Sequence, residues 1–301
     1  MLDAPSSTWF TVPPHWQWLI VLHFFLSGLA GGTFFLSALI DLTRREADRR
    51  LARLGYLTTL PLLLVIGVIL IVDLKRPERF WHMLLGNHTL LPMFKPWVPM
   101  SIGSWAVLFL GFFALLAFVS AFAELRRPQW TWARRLRPPG ILGTLVVVLG
   151  ALFALVITGY TGVMISVMNQ PVWSDTPLFG MLFNVSAVAM AAALLMLGSR
   201  WLDGETPAVA ALQGILAWLL GLQLLVLAVL FLTLGDAARG WLNVWGIVLA
   251  VGVAIGVALP LAAAVARSPR AGGLPLAAAM VLAGGFLVRT AIVFVPEAVL
   301  K

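Results

Sequence analysis

Eight apolar runs, each of at least about 18 residues and divided by shorter polar connections, limit the folds open to this chain. In α-helical geometry a run of that length rises far enough to cross the hydrocarbon of a bilayer. The runs fall approximately at 16–42, 55–74, 98–125, 141–168, 178–200, 207–235, 241–266 and 274–299. They predict an all-α polytopic membrane protein of eight transmembrane helices, forming a single transmembrane domain over 1–301. Hydrophobic residues make up 61% of the 301 and charged residues 11%, with a mean hydropathy of +1.00, more apolar sequence than a soluble core requires. Pro61 and Pro260 fall inside runs, which membrane helices tolerate because neighbouring groups satisfy the freed carbonyl. Trp16, Trp18, Trp97, Trp130, Trp132, Trp173, Trp201 and Trp241 lie at or near run ends, the pattern of an interfacial belt.

The net charge of +8 does not point to nucleic acid, because the arginines sit in short clusters between the runs, where they set membrane orientation. Thirteen Lys and Arg lie in the connections after runs one, three, five and seven, including Arg44, Arg45, Arg49, Arg50 and Arg53. Six lie on the opposite side, among them Lys75, Arg76 and Arg79, and one, Arg289, lies inside run eight. The positive-inside rule therefore places both termini on the outer face, the periplasmic side of a bacterial inner membrane. No Lys or Arg precedes Arg44, so the first run is read as a retained span and not a cleaved signal. There is no cysteine, so this chain holds no cysteine-ligated iron–sulfur cluster, and any such cluster belongs to a partner. The connection 75–97, KRPERFWHMLLGNHTLLPMFKPW, is too long for a plain turn; it either docks an extramembrane partner or lies along the interface.

Few strongly polar side chains lie within the runs, and apart from Gln213 and Gln223 they cluster in the outer half. His23 is seven residues in from the outer end of run one, about 10 Å deep; Tyr160 is eight residues before the outer end of run four, about 12 Å deep. An ionisable group in hydrocarbon is a functional candidate by default, although a neutral imidazole also serves simply to bond a neighbouring helix. Gly28 and Gly32, four apart, give the helix of His23 a face on which another backbone can approach closely. Tyr160, in TGYTG, is either an interhelical packing residue or a phenol facing a cleft, and its depth favours the cleft. Asp73 ends run two and either relays protons or pairs with Arg76 one turn away. Asn184 is an early residue of run five. Arg289 cannot release its proton and reads best as a structural counter-ion or a donor to helix ends.

An imidazole and a phenol at one level, open to apolar molecules, suit a lipid-soluble quinone, whose two oxygens need hydrogen bonds and a proton-exchanging neighbour. A bis-histidine haem is excluded, since His15, His82 and His88 lie at or outside the surface and only His23 is within a span.

Five stretches, WQWLIVLHFFLSGLAGG (16–32), DLKRPERF (73–80), MSIGSW (100–105), GYTGVMISVMNQPVW (159–173) and GGFLVR (284–289), resemble in order the NrfD-like integral membrane subunits, most closely that of polysulfide reductase. The resemblance implies a haem-free subunit that exchanges electrons with menaquinol near the outer face. It also implies a four-cluster, ferredoxin-like iron–sulfur partner and a molybdopterin catalytic subunit. By it His23 and Tyr160 fall on quinone-holding positions and Asp73 on an acidic position proposed for proton transfer. The polysulfide enzyme has an asparagine three residues before the histidine, where this chain has Ile20; Gln17, one turn earlier, is the candidate substitute. Two rival readings are a secondary transporter, which calls for paired broken helices around a midplane site, and a purely structural anchor, which calls for no dependence on His23.

Overall fold

The computed structural model describes residues 16–43, 45–74, 76–86, 89–95, 98–202, 207–265 and 273–300. Among them, eight helical segments are long and apolar enough to cross a membrane, and the one β feature is an isolated bridge between Leu85 and Pro92. In order they are α1 (Trp18–Leu42), α2 (Arg49–Asp73), α3 (Pro99–Arg126), α4 (Ile141–Ser166), α5 (Phe179–Gly198) and α6 (Pro207–Leu234). The seventh span is α7 (Val244–Val253) and α8 (Leu259–Val265), joined by a π-helical turn, Ala254–Ala258; the eighth is α9 (Gly273–Leu300). His15, His88, Arg44, Lys75, Trp97, Arg267, Arg270 and Lys301 lie outside the described residues.

Two sequence expectations shift at the span ends. The second helix begins at Arg49, not 55, so Arg49, Arg50 and Arg53 belong to its first turns and not to the connection. Arginines dilute an apolar window, and these could not be seen to be neutralised by distant carboxylates. Trp173 and Trp241 are buried within the protein and do not face outward, whereas Trp18, Trp130, Trp132 and Trp201 are exposed as a belt requires. Trp173 turns inward because its indole nitrogen donates to Ile292 O at 2.6 Å, tying the α4–α5 connection to α9.

α1 and α5 are the most enclosed spans, with α9 next. Packing between helices in lipid gains nothing from burying apolar surface, so it depends on close backbone approach through small residues. A methyl on Gly32 would stand 2.5 Å from Ala187 O of α5, and one on Gly31 would stand 2.8 Å from Ala154 O of α4. The Gly28 and Gly32 face predicted from sequence is therefore the seam with α5. A second seam joins Gly256 to Gly284 of α9, where a methyl on Gly256 would lie 2.6 Å from the Gly284 Cα. The π turn that carries Gly256 has a local cause. Pro260 has no N–H, and its ring would crowd the carbonyl four residues back in a regular α-helix.

At the end of the bundle that carries the 43–48 connection, charges are buried only in pairs. Arg49 donates to Asp41 Oδ2 at 2.5 Å and to Glu124 Oε1 at 2.8 Å. Arg137 also reaches Glu124 Oε1, at 3.0 Å, and the Tyr56 hydroxyl donates to Asp41 at 3.3 Å. The network joins α1, α2, α3 and Arg137, the residue that follows the 3₁₀ turn Thr131–Leu136. A carboxylate beside it, Asp48, accepts the backbone N–H of Ala208 at 2.7 Å and anchors the start of α6. Removing one member of a buried pair strands its partner, a loss of about 3–5 kcal/mol in comparable sites. Arg49→Met is therefore expected to lower the thermal midpoint of the detergent-solubilised protein clearly. Glu46→Gln, at a residue 81% exposed on the rim of the same network, should leave it nearly unchanged. Equal midpoints in the two variants would contradict a stabilising role for the buried pairs.

Candidate functional site

The α1–α4 seam sets the height of the polar residues at the opposite end. Because Gly31 meets Ala154 and Thr158, eight residues along each antiparallel helix bring His23 to the level of residues 162–166, about one turn from Tyr160. The expected agreement in depth therefore holds to about a turn, but the two side chains face different surroundings.

Tyr160 sits at an apolar cavity of about 310 Å³ together with Ile102 of α3, Leu155, Val156, Gly159 and Val163 of α4, and Asn184 of α5. Its ring lies over Gly103, where any Cβ would collide with the phenol, so the glycine of MSIGSW makes room for the aromatic. The hydroxyl points to Met164 Sδ at 3.1 Å, a weak acceptor. Val156 and Val163 are exposed on the outside of the bundle, so the cavity adjoins the face that lipid would cover. Asn184 is held in place by the Thr158 hydroxyl, which donates to its Oδ1. Its Nδ2 packs over Gly159 and has no acceptor among the described residues. The cavity thus offers two separate donors, a phenol and a carboxamide, in otherwise apolar walls.

His23 does not line this cavity. It is buried on α1, with Nδ1 3.3 Å from the Ser27 hydroxyl one turn on and its ring tilted against Phe24 at 5.6 Å. Arg289 lies behind the next residue. Its Nε donates to Phe24 O at 3.2 Å, and its Nη1 donates to Ser186 Oγ at 2.9 Å and to Gly285 O at 3.2 Å. The guanidinium also rests 5.0 Å from the Phe183 ring centre. It meets no carboxylate among the described residues, so it acts as a donor that laces α1, α5 and α9, and the counter-ion reading falls away. Asp73, the last residue of α2, is exposed and forms no ion pair with Arg76. Gln17 is exposed immediately before α1 and caps nothing with its side chain. The structure therefore unites Tyr160 with Asn184 and places His23 and Arg289 around Phe24. Asp73 and Gln17 remain at the surface.

Sequence reasoning missed Thr158 and Gly103, whose roles are set by α5 and α4 respectively. It also missed Asp41, Tyr56 and Glu124; a signal was present, since Asp41 and Glu124 both close apolar runs on the side where the arginines gather.

Among the described residues, eight helices long and apolar enough to cross a membrane, with a two-donor apolar cavity near one end, define a polytopic helical membrane protein. Residues 11–300 match the family described as polysulphide reductase, NrfD, and the chain belongs to that family. A stretch of 101 residues is 30% identical to a selenate reductase subunit from Mesobacillus selenatarsenatis. That stretch covers 34% of this chain and 21%, about a fifth, of the relative's length.

The hydrogen bonds of Arg289 yield a prediction. A lysine would keep the buried charge but lose the planar fork that serves three helices, whereas methionine removes the charge and keeps most of the volume. Arg289→Lys should therefore lower the thermal midpoint in detergent more than Arg289→Met. The reverse order would mean that the charge itself, and not the fork, is what the bundle uses.

Proposed function

We propose that this protein is the haem-free, quinone-reactive membrane subunit of a bacterial respiratory oxidoreductase complex. In this reading it exchanges electrons between menaquinol and an iron–sulfur subunit on the outer face, the partner of a molybdopterin catalytic subunit. The observation that carries the proposal is the pairing of the Tyr160 phenol and the Asn184 carboxamide in one apolar cavity beside the lipid-facing surface. Membership of the NrfD family and the likeness to a selenate reductase subunit support the same class of complex. The positive-inside count supports an outer location for this end of the bundle and for both termini.

A quinol fits the donor set because its two oxygens accept hydrogen bonds while its ring and tail need apolar walls. Tyr160 and Asn184 hold those oxygens. Oxidation of a quinol releases two electrons, taken by the external partner, and two protons, which need an acceptor near the head group. His23, about one turn nearer the outer face and outside the cavity wall, takes them one at a time, passing each on before the next, with Ser27 bonded to its ring at Nδ1. Asp73, exposed at the outer end of α2 and free of Arg76, passes protons to water. Reduction of a quinone runs the same route backwards.

In the assembled complex, His23→Phe is expected to abolish quinol-linked electron transfer while membrane insertion and partner binding persist. Near-normal turnover in that variant would remove His23 from the mechanism. Tyr160→Phe deletes one hydroxyl bond, worth about 0.5–1.5 kcal/mol, so apparent quinol affinity should fall several-fold with the fold intact. Asp73→Asn should slow turnover at nearly normal quinol affinity; unchanged turnover per assembled complex would make Asp73 a surface residue only.

A further inference from the structure

A second cavity lies away from Tyr160, in the cleft between α6 and α7. Its volume is about 990 Å³. These two helices are consecutive in the chain, yet they diverge at this end and meet only lower down, where α6 packs on the π turn and α8. α7 instead follows α9, to which it is bound by the close contacts of Gly252 and Gly256 with the Gly284 segment. The opening is walled by Leu227 and Phe231 on one side and by Ala250 and Ala254 on the other, with Trp241 at its outer end. Along α7 it extends from Asn243 to Ala258, about 20 Å at the helical rise per residue and thus most of the hydrocarbon thickness.

We infer that this cleft is a binding site for one membrane glycerophospholipid, with an acyl chain lying between α6 and α7 and its ester region at Trp241. Three observations select that occupant. The walls are apolar and contain no titratable group, so they lack the proton-exchanging neighbour that a second quinone site would need. The Asn243 side chain is already committed, its Oδ1 accepting from Trp245 N at 2.8 Å and its Nδ2 donating to Gly240 O at 2.7 Å. The indole nitrogen of Trp241 is the exception. Trp241 is 6% exposed, and its Nε1–H has no hydrogen-bond partner among the described residues. Buried indoles normally find an acceptor. The nitrogen has no accessible surface where it stands, so an ester carbonyl supplies the acceptor once the indole turns toward the cleft, whereas a helix packed there would have its own carbonyls engaged and leave the donor orphaned. Arg239, two residues before Trp241 and 60% exposed, pairs with Asp236 at 3.6 Å, so the outer end of the cleft carries an exposed ion pair and no net charge from these two groups. The small side chains of Ala250 and Ala254 leave the width that a chain requires.

The test uses the full-length protein in mild detergent, analysed by native mass spectrometry before and after a delipidating wash and after adding back palmitoyl-oleoyl-phosphatidylglycerol. The wild-type protein is expected to keep one phospholipid through moderate washing and to regain one after complete removal. Ala250→Leu with Ala254→Leu fills the cleft from two exposed positions and should reduce that occupancy at least tenfold without lowering the thermal midpoint. Trp241→Phe keeps the ring that packs on Phe231 while deleting the donor, and should reduce occupancy several-fold. Unchanged occupancy in the filled variant would overturn the proposal, as would recovery of a quinone or a second copy of the chain in place of the lipid.

Discussion

The close approach of α1 to α4 and α5 underlies the arrangement of the candidate site. Gly31 lies against Ala154 O and Gly32 against Ala187 O, so a central helix with almost no side-chain volume on one face draws two neighbours together. That places Thr158 within hydrogen-bonding reach of Asn184 and brings the carboxamide to the same cavity as Tyr160. In a bilayer the gain comes from van der Waals contact and satisfied polar groups, not from removal of apolar surface from water. A larger residue at Gly32 would therefore do more than loosen a seam; it would separate the two donors of the site.

The two ends of the bundle treat polarity differently. At one end charges are paired: Arg49 lies between Asp41 and Glu124, and Arg137 reaches the same glutamate. Such a network fixes helices but leaves no group free for a ligand. At the other end the polar side chains are neutral donors with weak or absent acceptors, namely Tyr160 against a thioether and Asn184 with an unshared amide. Donors left in that state in an apolar wall are what a ligand oxygen can use. Arg289 stands between these cases, a buried cation whose bonds go to two carbonyls and a hydroxyl and whose face rests on Phe183.

What the sequence makes legible here is what depends on local composition. The eight spans follow from run length, and the Gly28–Gly32 seam follows from four-residue spacing. The depth of His23 and Tyr160 follows from counting residues. What escapes is set by neighbours far along the chain. Nothing near Arg49 indicates that it is neutralised by Glu124, 75 positions away, so the start of α2 is misplaced by six residues. His23 and Tyr160 look like partners because they share a level, but angular position around a helix decides which side chains meet, and Asn184 takes the place beside Tyr160. The divergence of α6 from α7 is equally unreadable, because it arises from the glycine seam that commits α7 to α9.

Everything proposed for the outer half of the bundle turns on quinone binding at the cavity of Tyr160 and Asn184. Photo-crosslinking with an azido-menaquinone analogue in membranes containing the assembled complex, followed by peptide mapping, puts that binding to a direct test. Label is expected on the α3 and α4 segments around Ile102 and residues 155–163, and excess unlabelled menaquinone should displace it. Displaceable label confined to the α6–α7 cleft, or none on these segments, would contradict quinone binding at Tyr160 and Asn184.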